Sequence, residues 1–153
     1  MSWAVDSPQS TVHSPLTTYH KTLMEYPPIM ADLVACGFPS PAEQYVESPL
    51  DLNRLLVHRP AATYFVKATG DSMQGAGIRA GDILVVDRSI APTDGVIVIA
   101  CVNNEFTVKY YRTDGTRVWL EPAHPAFKPI YFNEGMELRV FGVVTSLVHQ
   151  FVK

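Results

Sequence analysis

Val96-Ile97-Val98-Ile99-Ala100-Cys101-Val102-Asn103-Asn104-Glu105-Phe106-Thr107-Val108-Lys109-Tyr110-Tyr111 carries the strongest architectural signal in the chain. Two runs rich in Val, Ile, Tyr and Phe, residues that suit a pleated surface, flank a pair of asparagines that tolerate positive φ. The pattern predicts a β-hairpin closed by the two-residue turn Asn103-Asn104. Side chains alternate along a strand, which sets Phe106, Val108 and Tyr110 on one face and Thr107, Lys109 and Tyr111 on the other. Lys109 is therefore a lone cation in an apolar setting, beside a threonine hydroxyl and an aromatic ring.

The same reading extends outward. Strand-like runs are expected at Thr63 to Ala68, Asp82 to Asp87, Thr116 to Glu121, Ile130 to Phe132 and Leu138 to Val148, with Asp114-Gly115 marking a further turn. Ser48-Pro49-Leu50-Asp51 reads as a helix start, with Ser48 as cap and Pro49 in the first turn, for a short helix through Leu56 that ends before Pro60. Upstream, Pro8, Pro15, Pro27, Pro28, Pro39 and Pro41 interrupt any periodicity. The expectation is a mainly β protein: a flexible N-terminal arm over residues 1–42 and one β-rich domain over residues 43–153 with a single short helix.

Composition narrows the function classes. A chain of 153 residues, 47% hydrophobic, can bury one real core. A formal net charge of -3 argues against a domain that neutralises phosphates, so no direct reading of nucleic acid is expected. The opening residues lack a basic stretch followed by an apolar one, and nothing approaches the roughly 20 apolar residues of a membrane span. Two cysteines give no disulfide framework, and His13, His20, His58, His124 and His149 lack metal-ligand spacing. A cytoplasmic protein without membrane, metal or cofactor is expected.

Chemistry enters with Gly70-Asp71-Ser72-Met73, where the strand from Thr63 gives way to a loop. A serine hydroxyl is a weak nucleophile near neutral pH and needs a base to take its proton. A lysine can be that base only as the neutral amine, and burial, which disfavours the ammonium form, supplies that condition. Ser72 as nucleophile and Lys109 as general base form such a pair, with the backbone amides of Asp71 and Ser72 as candidate oxyanion donors. Residue by residue, plainer roles compete: a strand lysine is usually solvated, Gly-Asp-Ser is ordinary turn composition, Asp71 suits a turn former, Cys36 a passive small residue, and Cys101 a core position.

Taken together, these elements resemble the LexA/UmuD family of Ser-Lys self-cleaving proteins. Ala35-Cys36-Gly37-Phe38-Pro39-Ser40-Pro41-Ala42 is similar to the family's cleavage region, with Cys36-Gly37 as the scissile pair. Tyr64-Phe65-Val66-Lys67-Ala68 leading into Gly70-Asp71-Ser72-Met73 resembles the nucleophile segment, and Glu105-Phe106-Thr107-Val108-Lys109 the segment bearing the base. Val140-Phe141-Gly142-Val143-Val144 is similar to the closing strand. Separations of 35 residues from Gly37 to Ser72 and 37 from Ser72 to Lys109 agree with the family. The resemblance covers about Ala31 to Val148; the stretch before Ala31 departs from it. It implies a LexA/signal-peptidase-like β domain and a homodimer. It also implies self-cleavage stimulated by the RecA filament on single-stranded DNA during the SOS response, and a product that joins a UmuC-type polymerase in translesion synthesis. Segment Leu33 to Phe38 is expected to lie extended in a cleft, Pro39 keeping Phe38 extended. Three other readings stand beside this one. A LexA-like repressor would need a helix-turn-helix ahead of the cut, a membrane signal peptidase an anchor, and a β interaction module no chemistry at all.

Overall fold

A computed structural model describes residues 27–30, 36–37 and 46–152. The readings of the arm before Pro27, and of Leu33 to Phe38 apart from Cys36 and Gly37, lie outside the described residues. The chain divides between Leu55 and Leu56 into two compact units.

In the first unit, β1 (Pro28–Met30) and β2 (Val46–Pro49) form a two-stranded antiparallel sheet in which Pro28 faces Pro49. Neither strand is legible in the pattern, because prolines demote a run that would otherwise read as a strand. A two-stranded ladder consists of edges only, where a missing N–H is tolerated. The expected helix start is corrected accordingly. Ser48 and Pro49 belong to β2, and helix α1 spans Leu52–Leu56. Its cap is Asp51, whose Oδ1 accepts the amides of Asn53 at 2.9 Å and Arg54 at 3.3 Å.

The second unit is a seven-stranded antiparallel sheet. Its strands are β3 (Thr63–Lys67), β4 (Ile83–Asp87), β5 (Ile97–Val102), β6 (Glu105–Thr113), β7 (Val118–Glu121), β8 (Ile130–Tyr131) and β9 (Leu138–Val148). They lie in the order β3-β4-β9-β5-β6-β7-β8. The mainly β expectation holds, and each expected strand is present within two residues at either end. The hairpin closes as read: Val102 faces Glu105, and Asn103 and Asn104 take φ of 49° and 69°.

Chain order does not reveal that β9 inserts between β4 and β5. Gly142 makes that insertion possible. A Cβ there would stand 2.6 Å from Val86 Cγ1 and 3.1 Å from the Asp87 carbonyl oxygen. Because β9, β4 and β5 are central, both faces are covered and β4 and β5 read as continuous apolar runs. One face gathers Met73, Ile78, Leu84, Val86 and Ile99; the other gathers Val98, Ala100, Leu120 and Val143. Cys101 is buried, as its apolar run predicts. Just past β9, His149 Nδ1 contacts the buried carboxylate of Asp82, which also accepts the Arg79 amide at 2.8 Å.

Candidate active site

Ser72 stands on a short loop built to hold still. Gly70 turns the chain at a φ of 81°, a conformation that strains residues with a Cβ. Met73, 3% exposed, plugs into the first core cluster, and the amides of Ala76 and Ile78 both bond the Met73 carbonyl, at 3.0 and 3.2 Å. The loop is also clamped from a distant part of the chain. The Ala123 amide donates to the Ser72 carbonyl at 2.7 Å, and the Gly75 amide donates to the Ala123 carbonyl at 2.7 Å. Two opposed bonds across one residue fix the serine backbone against the loop after β7. Sequence reasoning missed Ala123, and no signal announces it, since its contribution is entirely main chain.

Lys109 lies on β6, opposite Val98 of β5, and is buried. Its Nζ is 2.8 Å from Ser72 Oγ, 2.7 Å from Thr107 Oγ1 and 3.0 Å from the Val108 carbonyl oxygen. Among the described residues no carboxylate pairs with it. Burial pushes its amine below the ordinary lysine range of 10.5, because desolvation penalises the ammonium form.

The three contacts suit both protonation states. An ammonium has three N–H groups, one for each oxygen. The neutral amine has two N–H groups and a lone pair. The Val108 carbonyl can only accept, and Thr107 Oγ1 accepts as well, so the lone pair is left for the Ser72 hydroxyl. The proton that differs between the two states is therefore the one shared by Ser72 and Lys109. Thr107, two residues back on the same face, orients the amine as strand alternation suggests; the Val108 carbonyl was not anticipated.

A cleft of about 200 Å³ opens beside Ser72, lined by Val66, Ala68, Met73, Ile99 and Phe106 among others. Its apolar walls suit small or aliphatic side chains. Asp71 is exposed and its carbonyl accepts the Gln74 amide at 3.1 Å, so it serves the turn. The amides of Asp71 and Ser72 donate to no acceptor among the described residues. Cys36 and Gly37 form an exposed bend in the first unit.

Known proteins resemble this chain over most of its length. The family model described as Peptidase S24-like matches residues 28–145. SamA of Salmonella typhimurium is 46% identical over 123 residues, 80% of this chain and 85% of that protein. ImpA of Escherichia coli is 45% identical over 131 residues, covering 80% and 83%. The LexA repressor of Acidithiobacillus ferrooxidans is 42% identical over 118 residues, 75% of this chain and 57% of that longer one. The resemblance to the LexA/UmuD family thus extends over the greater part of the chain.

Proposed function

The chain belongs to the Peptidase S24-like family, and from that premise we propose that it is a serine peptidase acting on its own chain, with Ser72 as nucleophile and Lys109 as general base. The contact of 2.8 Å between Lys109 Nζ and Ser72 Oγ, made by a buried amine, is the observation that carries the reading.

Ser72 Oγ attacks the carbonyl carbon of Cys36 while its proton passes to Lys109 Nζ. The resulting oxyanion accepts from the amides of Asp71 and Ser72. The Cys36–Gly37 bond breaks, the proton moves from Lys109 to the departing amine of Gly37, and Cys36 is left as an ester of Ser72. Water, deprotonated by the same lysine, attacks the ester, giving the Cys36 carboxylate and restoring the serine. The scissile bond is presented by the same chain or by a second copy.

Effective molarities in tethered reactions are very large, so restraint has to come from a rarely populated competent state. A partner that favours that state stimulates cleavage; we assign this role to the RecA filament on single-stranded DNA, as the family resemblance implies. The product Gly37 to Lys153 then joins a UmuC-type polymerase as a homodimeric, cytoplasmic subunit in error-prone synthesis. Exposed Phe65, Phe106 and Phe151 support a second copy covering apolar surface. The likeness to LexA supports shared self-cleavage, and the repressor activity in that protein's name stays with that protein.

Incubating purified chain at rising alkaline pH should speed cleavage between Cys36 and Gly37, read as two new masses, because the neutral fraction of Lys109 grows. Ser72→Ala and Lys109→Ala should each abolish it. An intact mass at all pH values, with and without RecA filament, would overturn the proposal; wild-type cutting by Lys109→Ala would remove the base assignment alone.

A further inference from the structure

A second concavity, sharing no lining residue with the serine cleft, lies at the β7–β8 end of the sheet. It encloses about 730 Å³. Its lining includes the apolar side chains of Phe132, Met136 and Leu138, and Trp119 and Tyr131 face each other across β7 and β8. Their rings stack with centroids 6.4 Å apart and planes 29° off parallel. Tyr131 is 62% exposed although it sits on a sheet, and β8 ends the strand order, with no described strand beyond it. Core packing does not require so large an exposed ring, whereas aromatic anchors of this kind dominate binding surfaces.

The rim specifies the occupant. Arg117 is the charged residue lining the groove, and Asp114 Oδ2 takes two of its N–H groups, from Nε at 3.1 Å and Nη2 at 2.9 Å. Asp114 also accepts the amides of Thr116 and Arg117, and its carboxyl is lowered to about 2, so the pair is ionised at ordinary pH. The ion pair offsets the charge of Arg117 at the groove's rim. The groove's uncommitted groups include several donors. The Trp119 indole N–H, the Tyr131 hydroxyl and the Asn133 amide bond no other described residue, and indole can only donate. A ligand that meets these donors offers acceptors and stacks on aromatic rings. A proline-rich segment has these properties: its backbone carbonyls are unpaired, proline carries no N–H, and the polyproline II helix loses little entropy on binding.

We propose that the Trp119–Tyr131 groove binds a neutral proline-rich segment of a partner protein in the polyproline II conformation. The proposal is independent of the peptidase reading, so it is tested on full-length Ser72→Ala chain, where no cutting interferes. Fluorescein-labelled decaproline is titrated and its anisotropy followed, against a ten-residue Gly-Ser peptide and a ten-residue oligo-dT. Saturable binding of decaproline alone is expected, weakened about tenfold or more by Trp119→Ala and by Tyr131→Ala. Trp119→Phe keeps a stacking ring but loses the donor and should weaken binding about fivefold. Should Trp119→Ala fail to fold, Tyr131→Ala, at an exposed edge position, carries the test. No saturation by about 1 mM, equal binding of the Gly-Ser peptide, or indifference to both alanine variants would overturn the proposal. Preference for oligo-dT would overturn it too, in favour of base stacking.

Discussion

At the scale of single residues, Lys109 carries a cost that pH can expose. Burial sets its folded-state pKa below the unfolded value near 10.4, so between those two values the unfolded chain binds more protons and stability rises with pH. In uncut Ser72→Ala chain, the urea midpoint should therefore climb as alkaline pH approaches the unfolded value near 10.4, and Lys109→Met should remove that climb. An identical pH dependence in the two chains would show that the amine is not desolvated. Thr107 predicts a rate effect. Thr107→Val keeps the shape but deletes one acceptor, worth about 1 kcal/mol, and self-cleavage should slow about fivefold with the fold intact. Asp114 gives the opposite pH limb. Its depressed carboxyl contributes stability that is present above the unfolded value near 3.9 and lost as pH falls through about 2. Asp114→Asn should flatten the acid limb of a thermal-melting profile over that range. Of the site, Ser72, Lys109 and Thr107 were legible in the chain, because residue type and strand alternation are local. The Val108 carbonyl and the Ala123 clamp were not, since backbone groups carry no residue signature.

At the scale of elements, the strands of the sheet were readable because each is an apolar run bounded by turn residues, and Asn103-Asn104 and Asp114-Gly115 mark two of the turns. Strand placement was not. β9 lies between β4 and β5 by virtue of its close approach at Gly142, where Gly142→Ala sets a methyl within 2.6 Å of Val86 Cγ1. Overpacking of that kind should cost about 1–3 kcal/mol in a denaturant titration, and an unchanged midpoint would mean that β9 has room to move. The helix start was misread for a related reason. Ser48-Pro49 has the composition of a cap, yet pairing with Pro28–Met30 claims those residues for a strand, and Asp51 takes over the capping. A partner strand far along the chain outweighed a local preference.

For the whole molecule, both core clusters draw on residues from Val66 to Leu147, all downstream of Cys36-Gly37. Cutting there leaves every strand of the seven-stranded sheet on one product. The fragment Gly37 to Lys153 should accordingly melt within a few degrees of intact Ser72→Ala chain, and a much lower melting temperature would show that the residues before the cut support the core. By itself, the amino-acid sequence determined the β class and the hairpin that carries Lys109, and pointed to Ser72 and Lys109 as a candidate pair, since turn propensity and alternation act over a few neighbouring positions. Only the tertiary structure decided that the amine is buried and in contact with Ser72 Oγ, that Ala123 holds the serine loop, and that Trp119 and Tyr131 frame a groove. Each of these depends on which distant segments come to lie side by side, and burial belongs to that arrangement.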